Sequence, residues 1–172
     1  MLTLIIGAAG SGKSAFAEDF VQSFPGRKLY IATMLPRGVD AELRISRHRI
    51  QRASRGFLTV ECGLRLEELS IPQGANVLLE DLSNLLANEL FEPQGRGFEA
   101  SAAGLRTLLR QCGNLTVVSN EVFSGGNRYA GDSDSFLRLL AAWNREIAKE
   151  ADLVIEIVCG LPNVLKGVFP CG

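Results

Sequence analysis

The sequence predicts a three-layer α/β fold, in which a mostly parallel β-sheet carries helices on both faces. Short apolar runs alternate along the chain with segments of helical periodicity, and a glycine-rich loop joins the first run to the first helical segment. Strands that alternate with helices form parallel sheets through right-handed crossovers. No internal repeat, low-complexity tract or linker divides the chain. We therefore expect residues 1–172 to form a single domain.

The glycine-rich loop follows the apolar run at residues 2–6 and matches G-x-x-x-x-G-K-[ST], the phosphate-binding loop. Its residues are Gly7, Ala8, Ala9, Gly10, Ser11, Gly12, Lys13 and Ser14. Glycines let backbone N–H groups approach a phosphate, and the positive end of the following helix dipole attracts it. In such a loop the lysine reaches the β- and γ-phosphates and the serine ligates Mg²⁺. The sequence therefore predicts a P-loop fold that binds a nucleoside triphosphate at Lys13 and Ser14.

The other elements follow in order. Apolar runs bounded by turn residues or charges predict strands at residues 28–33, 57–60, 77–80, 115–118 and 153–158. Helical periodicity predicts helices that begin at residue 14 and that lie near residues 39–52, 65–69, 82–90, 98–110 and 132–150. Asp132 or Ser133 is a candidate N-cap of the last helix, since both side chains can accept a bond from a first-turn N–H.

Ligands of parallel sheets bind where the strands end, so the residues just past each strand are candidates for function. Thr33 follows the second predicted strand, and Glu80 ends an apolar strand where P-loop proteins hold the acid that orients Mg²⁺. The adjacent Asp81 is better suited to cap a helix. Asn120 and Glu121 follow another strand, and they either bind nucleotide, substrate or metal or cap a turn.

His48 is the only histidine of the chain and lies in a strongly basic segment. If that segment is a helix, Arg44, His48 and Arg52 share one face and Arg49 lies close by. One interpretation is a solvated surface histidine. The other is a nucleophile or acid among guanidinium groups that neutralise phosphate oxygens. The spacing alone leaves both open.

Composition excludes several classes of function. The formal net charge is -1, so no basic field suggests a nucleic acid partner. The four cysteines are widely spaced, which argues against a zinc site and favours reduced thiols. No apolar run is long enough to span a bilayer. We expect a soluble cytoplasmic protein.

Several motifs along the whole chain resemble one family. They are G-A-A-G-S-G-K-S-A-F-A-E at 7–18, Y-I-A-T at 30–33, D-A-E-L-R-I-S-R-H-R-I-Q-R at 40–52, T-V-E at 59–61, L-L-E at 78–80 with Asn88, N-E-V at 120–122, Asn144, and V-C-G-L-P-N-V-L-K at 158–166. Together they resemble the bifunctional adenosylcobinamide kinase / adenosylcobinamide-phosphate guanylyltransferase family of cobalamin biosynthesis. The chain departs from the family pattern at 120–125, where it reads N-E-V-F-S-G in place of N-E-V-G-x-G, and at Arg138, where the family has an aspartate.

The resemblance implies two reactions on a small corrinoid. The γ-phosphoryl group of ATP or GTP passes to the aminopropanol hydroxyl of adenosylcobinamide, and GMP from GTP then passes to the new phosphate through a guanylyl-histidine at His48. The residues that match the family's nucleotide, catalytic and metal positions are the phosphate loop, Thr33, Arg44, His48, Arg49, Arg52, Glu61, Glu80, Asn120 and Glu121, with Mg²⁺ at Ser14 and Glu80. The family also forms homo-oligomers, typically trimers.

Two alternatives stay open at this point. One is a P-loop kinase or nucleotidyltransferase of the same fold that acts on another small substrate. The other is a protein that binds GTP without turnover.

Overall fold

The computed structural model describes residues 1–35, 50, 55–122 and 131–169. Within these ranges seven strands form one sheet, and four α-helices and one 3-10 turn connect them. In chain order the elements are β1 (Leu2–Gly7), α1 (Lys13–Gln22), β2 (Lys28–Ala32), β3 (Phe57–Glu61), the 3-10 turn (Leu66–Glu68), β4 (Asn76–Glu80), α2 (Leu82–Phe91), α3 (Phe98–Gln111), β5 (Asn114–Asn120), α4 (Asp132–Glu150), β6 (Leu153–Val158) and β7 (Leu161–Lys166).

The sheet has the strand order β3-β2-β4-β5-β1-β6-β7, and every neighbouring pair is parallel except β6 and β7. β1 lies between β5 and β6, so that Gly7 pairs with Asn120 on one side and with Ile157 on the other. All six parallel strands end at the same edge, and the phosphate loop begins there.

Each face of the sheet has its own apolar layer, because successive strand residues point to opposite faces. On one face Ile5, Leu78 and Val118 pack with Ala17 and Phe20 of α1. On the other face the strands pack against α2, α3 and α4 in a larger cluster. This arrangement confirms the predicted α/β fold with helices on both faces.

Two predicted helix starts have different outcomes. Asp81 is the N-cap of α2, as predicted, and its carboxylate accepts hydrogen bonds from the N–H groups of Ser83 and Asn84. The prediction for α4 is wrong: the N-cap is Gly131, without a side-chain cap. Asp132 already lies in the first turn, since Gly131 supplies the carbonyl that accepts the first bonds of this helix.

Two further elements differ from the prediction. The segment predicted as a helix at 65–69 is a single 3-10 turn, and the predicted helix at 39–52 lies outside the described residues, apart from residue 50. β7 is an antiparallel edge strand that the sequence interpretation missed. Cys159 (φ 51°) and Gly160 (φ 79°) join it to β6, and two left-handed residues are the geometry of a tight hairpin turn.

Among the helices of the described ranges, none is both long enough and apolar enough to cross a bilayer.

The buried strands predict the stability cost of a cavity. Leu79 of β4 is 0% exposed, whereas Leu58 of the edge strand β3 is 62% exposed. We expect Leu79→Ala to lower the free energy of unfolding by about 2–5 kcal/mol, because both transfer energy and packing are lost. The matched control Leu58→Ala should cost less than about 1 kcal/mol. Urea unfolding measures both, and equal losses would contradict the layer assignment.

Candidate nucleotide-binding site

The phosphate loop connects the end of β1 to the start of α1. Gly10 (φ 73°) and Gly12 (φ 91°) have left-handed backbone, which a side chain would disfavour. The N–H of Ser11 donates to the carbonyl of Ala8 at 3.1 Å, so the loop folds back on itself. Gly12 is the N-cap of α1 and provides no side-chain cap. The first amides of α1 therefore have no side-chain acceptor and are suited to bind an anion.

Lys13 is the first residue of α1, and its side chain turns back over the loop. Its Nζ donates to the carbonyl of Ala8 at 3.3 Å, and the residue is only 8% exposed. Within the described parts of the chain, the Lys13 ammonium forms no ion pair with a carboxylate. An ammonium group held over a loop of backbone amides is suited to neutralise phosphate oxygens.

Glu80, at the end of β4, lies beside the first turn of α1. Burial raises the pKa of its carboxyl above the ordinary value. A hydrogen bond from the Ser14 hydroxyl and the positive charge of Lys13 lower this pKa, and the carboxylates of Asp81 and Glu18 raise it. The pKa remains raised because burial outweighs the hydrogen bond. The structure thus brings together the two residues predicted to bind a metal, Ser14 and Glu80.

These two residues fit Mg²⁺. A hydroxyl and a carboxylate are oxygen ligands, and Mg²⁺ in proteins often takes few protein ligands because substrate phosphates and water complete its shell. In the described ranges, no group of three or more histidine, cysteine or acidic side chains is placed to hold a metal ion.

Thr33 and Asn120 take part in a hydrogen-bond network that holds the strand ends together. The Thr33 hydroxyl donates to the carbonyl of Asp81 at 2.8 Å and accepts from its N–H at 2.7 Å. Nδ2 of Asn120 donates to the carboxylate of Asp81 and to the hydroxyl of Ser83, each at 2.8 Å. Asn120 is therefore neither a simple turn cap nor a free side chain. It connects β5 to the start of α2.

Two more amides extend this network, the buried Asn88 and the half-buried Asn144, and the sequence interpretation gave neither a role. Nδ2 of Asn88 donates to the carbonyls of Thr33 at 2.8 Å and Gly63 at 3.0 Å. Nδ2 of Asn144 donates to the carbonyl of Asn120 at 3.3 Å. A polar residue on the apolar face of a predicted helix was the available signal, since a buried amide needs partners.

The remaining predicted residues are not all near the loop. Glu61 ends β3, and three strands separate β3 from β1, which is about 19 Å across the sheet. Glu121 follows β5, and its N–H donates to the carbonyl of Gly7 at 3.0 Å. The predicted Arg44, His48, Arg49 and Arg52 lie outside the described residues. Arg55, which precedes β3, binds α1 through Glu18 at 2.7 Å.

The raised pKa of Glu80 predicts how the stability of the free protein depends on pH. A carboxyl whose pKa is raised by folding stabilises the fold at low pH, and this contribution is lost as the pH rises through the folded pKa. We expect Glu80→Gln to be more stable than wild type at neutral pH. The difference should shrink as the pH falls towards about 4, where the unfolded carboxyl also takes up its proton.

Urea midpoints across this pH range measure the effect without added nucleotide or metal. Glu146→Gln, at an exposed position of α4, is the matched control and should show little pH dependence. If wild type instead became more stable relative to Glu80→Gln as the pH rises, the raised pKa of Glu80 would be contradicted.

Two curated relatives match nearly the whole chain. The bifunctional adenosylcobalamin biosynthesis protein CobU of Salmonella typhimurium is 28% identical over 96% of this chain and 100% of its own length. The bifunctional adenosylcobalamin biosynthesis protein CobP of Pseudomonas aeruginosa is 32% identical over 97% of this chain and 98% of its own length.

Among solved structures, the P4 protein of bacteriophage phi6 in complex with ADP is similar with a TM-score of 0.43 and 16% identity. The similarity covers 94% of this chain and 53% of the P4 chain, so this chain spans about half the length of that protein.

The family described as cobinamide kinase / cobinamide phosphate guanyltransferase matches residues 3–165. This match includes every described residue of the phosphate loop and the strand ends. The chain therefore belongs to the cobinamide kinase / cobinamide phosphate guanyltransferase family.

Proposed function

We propose that this chain catalyses two successive transfers to a corrinoid in cobalamin biosynthesis. It phosphorylates the aminopropanol hydroxyl of adenosylcobinamide and then transfers GMP from GTP to the new phosphate, which gives adenosyl-GDP-cobinamide. The observation that carries the proposal is the phosphate loop at the start of α1, with Ser14 beside Glu80, in a chain whose family match spans residues 3–165. We propose residues 1–172 as one catalytic domain.

In the first step, the phosphate loop holds the triphosphate of ATP or GTP. The amides at the start of α1 and the ammonium of Lys13 bind its oxygens. The acceptor hydroxyl attacks the γ-phosphorus, and the nucleoside diphosphate leaves. Ser14 and Glu80 are the residues proposed to hold Mg²⁺, which when bound neutralises charge on the phosphate oxygens. The closeness of these two side chains supports their joint role.

In the second step, His48 is the proposed nucleophile. A neutral ring nitrogen attacks the α-phosphorus of GTP and pyrophosphate leaves; the acceptor phosphate then attacks the same phosphorus and releases His48. Arg44, Arg49 and Arg52 are proposed to neutralise the phosphate oxygens, and they favour the neutral form of the imidazole. The attachment of Arg55 to α1 supports this step, because it holds the chain that follows the basic segment beside the phosphate-loop helix.

The strand-end residues have different proposed roles. Thr33 and Asn120 shape the site through their bonds to Asp81, while Glu61 and Glu121 are candidates for direct contact with the nucleotide. The protein is also proposed to form a homo-oligomer, possibly a trimer. Exposed apolar side chains along and just past β7, at Leu161, Leu165 and Val168, support self-association, which light scattering after gel filtration measures.

Two substitutions separate the steps. Lys13→Ala should lower both activities by about 10²-fold or more, because both triphosphates lose a charge partner in the loop. His48→Ala should abolish covalent GMP labelling but leave phosphorylation within about twofold of wild type. Labelling is measured with GTP carrying α-phosphate label, and phosphorylation with ATP carrying γ-phosphate label on adenosylcobinamide.

The label on wild type should be acid-labile and base-stable, as a phosphoramidate is. Lys28→Ala is the matched control for Lys13, because within the described ranges Lys28 donates to the nearby carbonyl of Gly26 at the opposite end of its strand from the site. Labelling that persists in His48→Ala would contradict the guanylyl-histidine. Nucleotide binding without any turnover would support the non-catalytic alternative.

A further inference from the structure

The turn between β6 and β7 lies directly against the phosphate loop. The N–H of Gly160 donates to the carbonyl of Ser11 at 2.8 Å. The two backbones are so close that a Cβ on Gly12 would lie 3.4 Å from the Cα of Gly160. Two segments that are far apart in sequence are therefore in backbone contact at the predicted nucleotide site.

The chain beyond β7 contacts the helix that the phosphate loop begins. The ring of Phe169 packs against the rings of Phe16 and Phe20 of α1, with centroids 6.1 and 5.7 Å apart. β7 itself pairs with β6, and none of the six residues Leu161–Lys166 is buried. The strand β7 thus adds little to the core, while the hairpin turn contacts the loop and the segment after β7 contacts α1.

The contact with Ser11 fixes the direction of one peptide group. In a planar trans peptide the C=O of Ser11 and the N–H of Gly12 point in opposite directions. Because the hairpin holds the C=O, the N–H of Gly12 points away from the hairpin. This peptide joins Ser11 to the left-handed Gly12, whose backbone has no side chain to restrict its rotation. Rotation of this peptide would replace an N–H donor by a carbonyl oxygen, which repels phosphate.

We propose that the β6–β7 hairpin is a brace for the phosphate loop and that Gly160 is a positioning residue for nucleotide binding. The brace keeps the Ser11–Gly12 peptide in the orientation that offers its N–H to phosphate. It acts on both proposed steps, since both use the same loop. The inference rests on the proposed nucleotide site.

Gly160→Ala tests the brace, and the chain offers a matched control. Gly160 has φ +79°, and no atom of the described residues lies within 4 Å of an added Cβ, so alanine would act through the left-handed backbone. Gly74 has φ +77°, equally open space, and an N–H that donates to the carbonyl of Gln111 at 3.2 Å. It precedes β4, at the opposite edge of the sheet from the phosphate loop. Gly74→Ala therefore carries the same backbone cost without the contact to the loop.

The measurements are the affinities for Mg·ATP and Mg·GTP, steady-state kinetics, and the thermal midpoint of each variant. We expect similar falls in thermal midpoint for both variants. Only Gly160→Ala should weaken both affinities, by about tenfold, which corresponds to the loss of one well-placed donor. Its KM for nucleotide should rise more than its kcat falls. Gly160→Asn should restore most of the affinity, because asparagine tolerates left-handed backbone.

The proposal would be overturned if Gly160→Ala and Gly74→Ala bound nucleotide with equal affinity. It would also be overturned if Gly160→Ala lost affinity and Gly160→Asn did not restore it. If Gly160→Ala does not fold, Phe169→Ala tests the contact that the segment after β7 makes with α1. Normal nucleotide affinity in that folded variant would then overturn the proposal. Wild-type protein that binds neither nucleotide would instead refute the proposed function.

Discussion

The pairing of β1 with β5 on one side and β6 on the other is the constraint on which the site depends. Gly7 ends β1 opposite Asn120 and Ile157, so the phosphate loop leaves the sheet between two fixed neighbours. A Cβ on Gly7 would lie 2.8 Å from the carbonyl of Ile157, and only glycine fits this position without displacing backbone. The loop, its amides and the start of α1 are all placed by this register.

Glu80 and Asp81 are adjacent carboxylates at the end of β4, but their surroundings differ. Asp81 accepts hydrogen bonds from α2 and from Asn120, so its negative charge is compensated within the fold. Glu80 is half-buried beside Ser14, and desolvation raises the pKa of its carboxyl. A carboxylate that the fold satisfies only in part is the one suited to a cation supplied with the nucleotide. The fold thus places a partly desolvated carboxylate at the proposed catalytic site.

The sequence predicted the features that depend on local pattern. The phosphate loop, the six parallel strands and the capping role of Asp81 follow from glycine spacing, apolar runs and side-chain chemistry close in sequence. Helical periodicity marks Asn88 and Asn144 as polar residues on apolar faces, but their partners are carbonyls distant in sequence, which periodicity cannot identify. β7 was missed because its residues are exposed rather than an apolar run, although the Cys159–Gly160 turn was a usable signal. The predicted cap of α4 was wrong by one or two residues: the helix begins at Asp132, and the carbonyl of Gly131 accepts from the N–H groups of Asp134 and Ser135.

The central claim is that the phosphate loop, Ser14 and Glu80 together hold a metal-bound nucleoside triphosphate. A crystal structure with Mn²⁺ and a non-hydrolysable GTP analogue tests it most directly, because the anomalous signal of Mn²⁺ locates the metal without ambiguity. We predict one peak about 2.1 Å from the Ser14 hydroxyl oxygen, on the side that faces Glu80. The β-phosphate should lie over the amides at the start of α1. A metal bound elsewhere, or a triphosphate that does not contact the loop, would contradict the account.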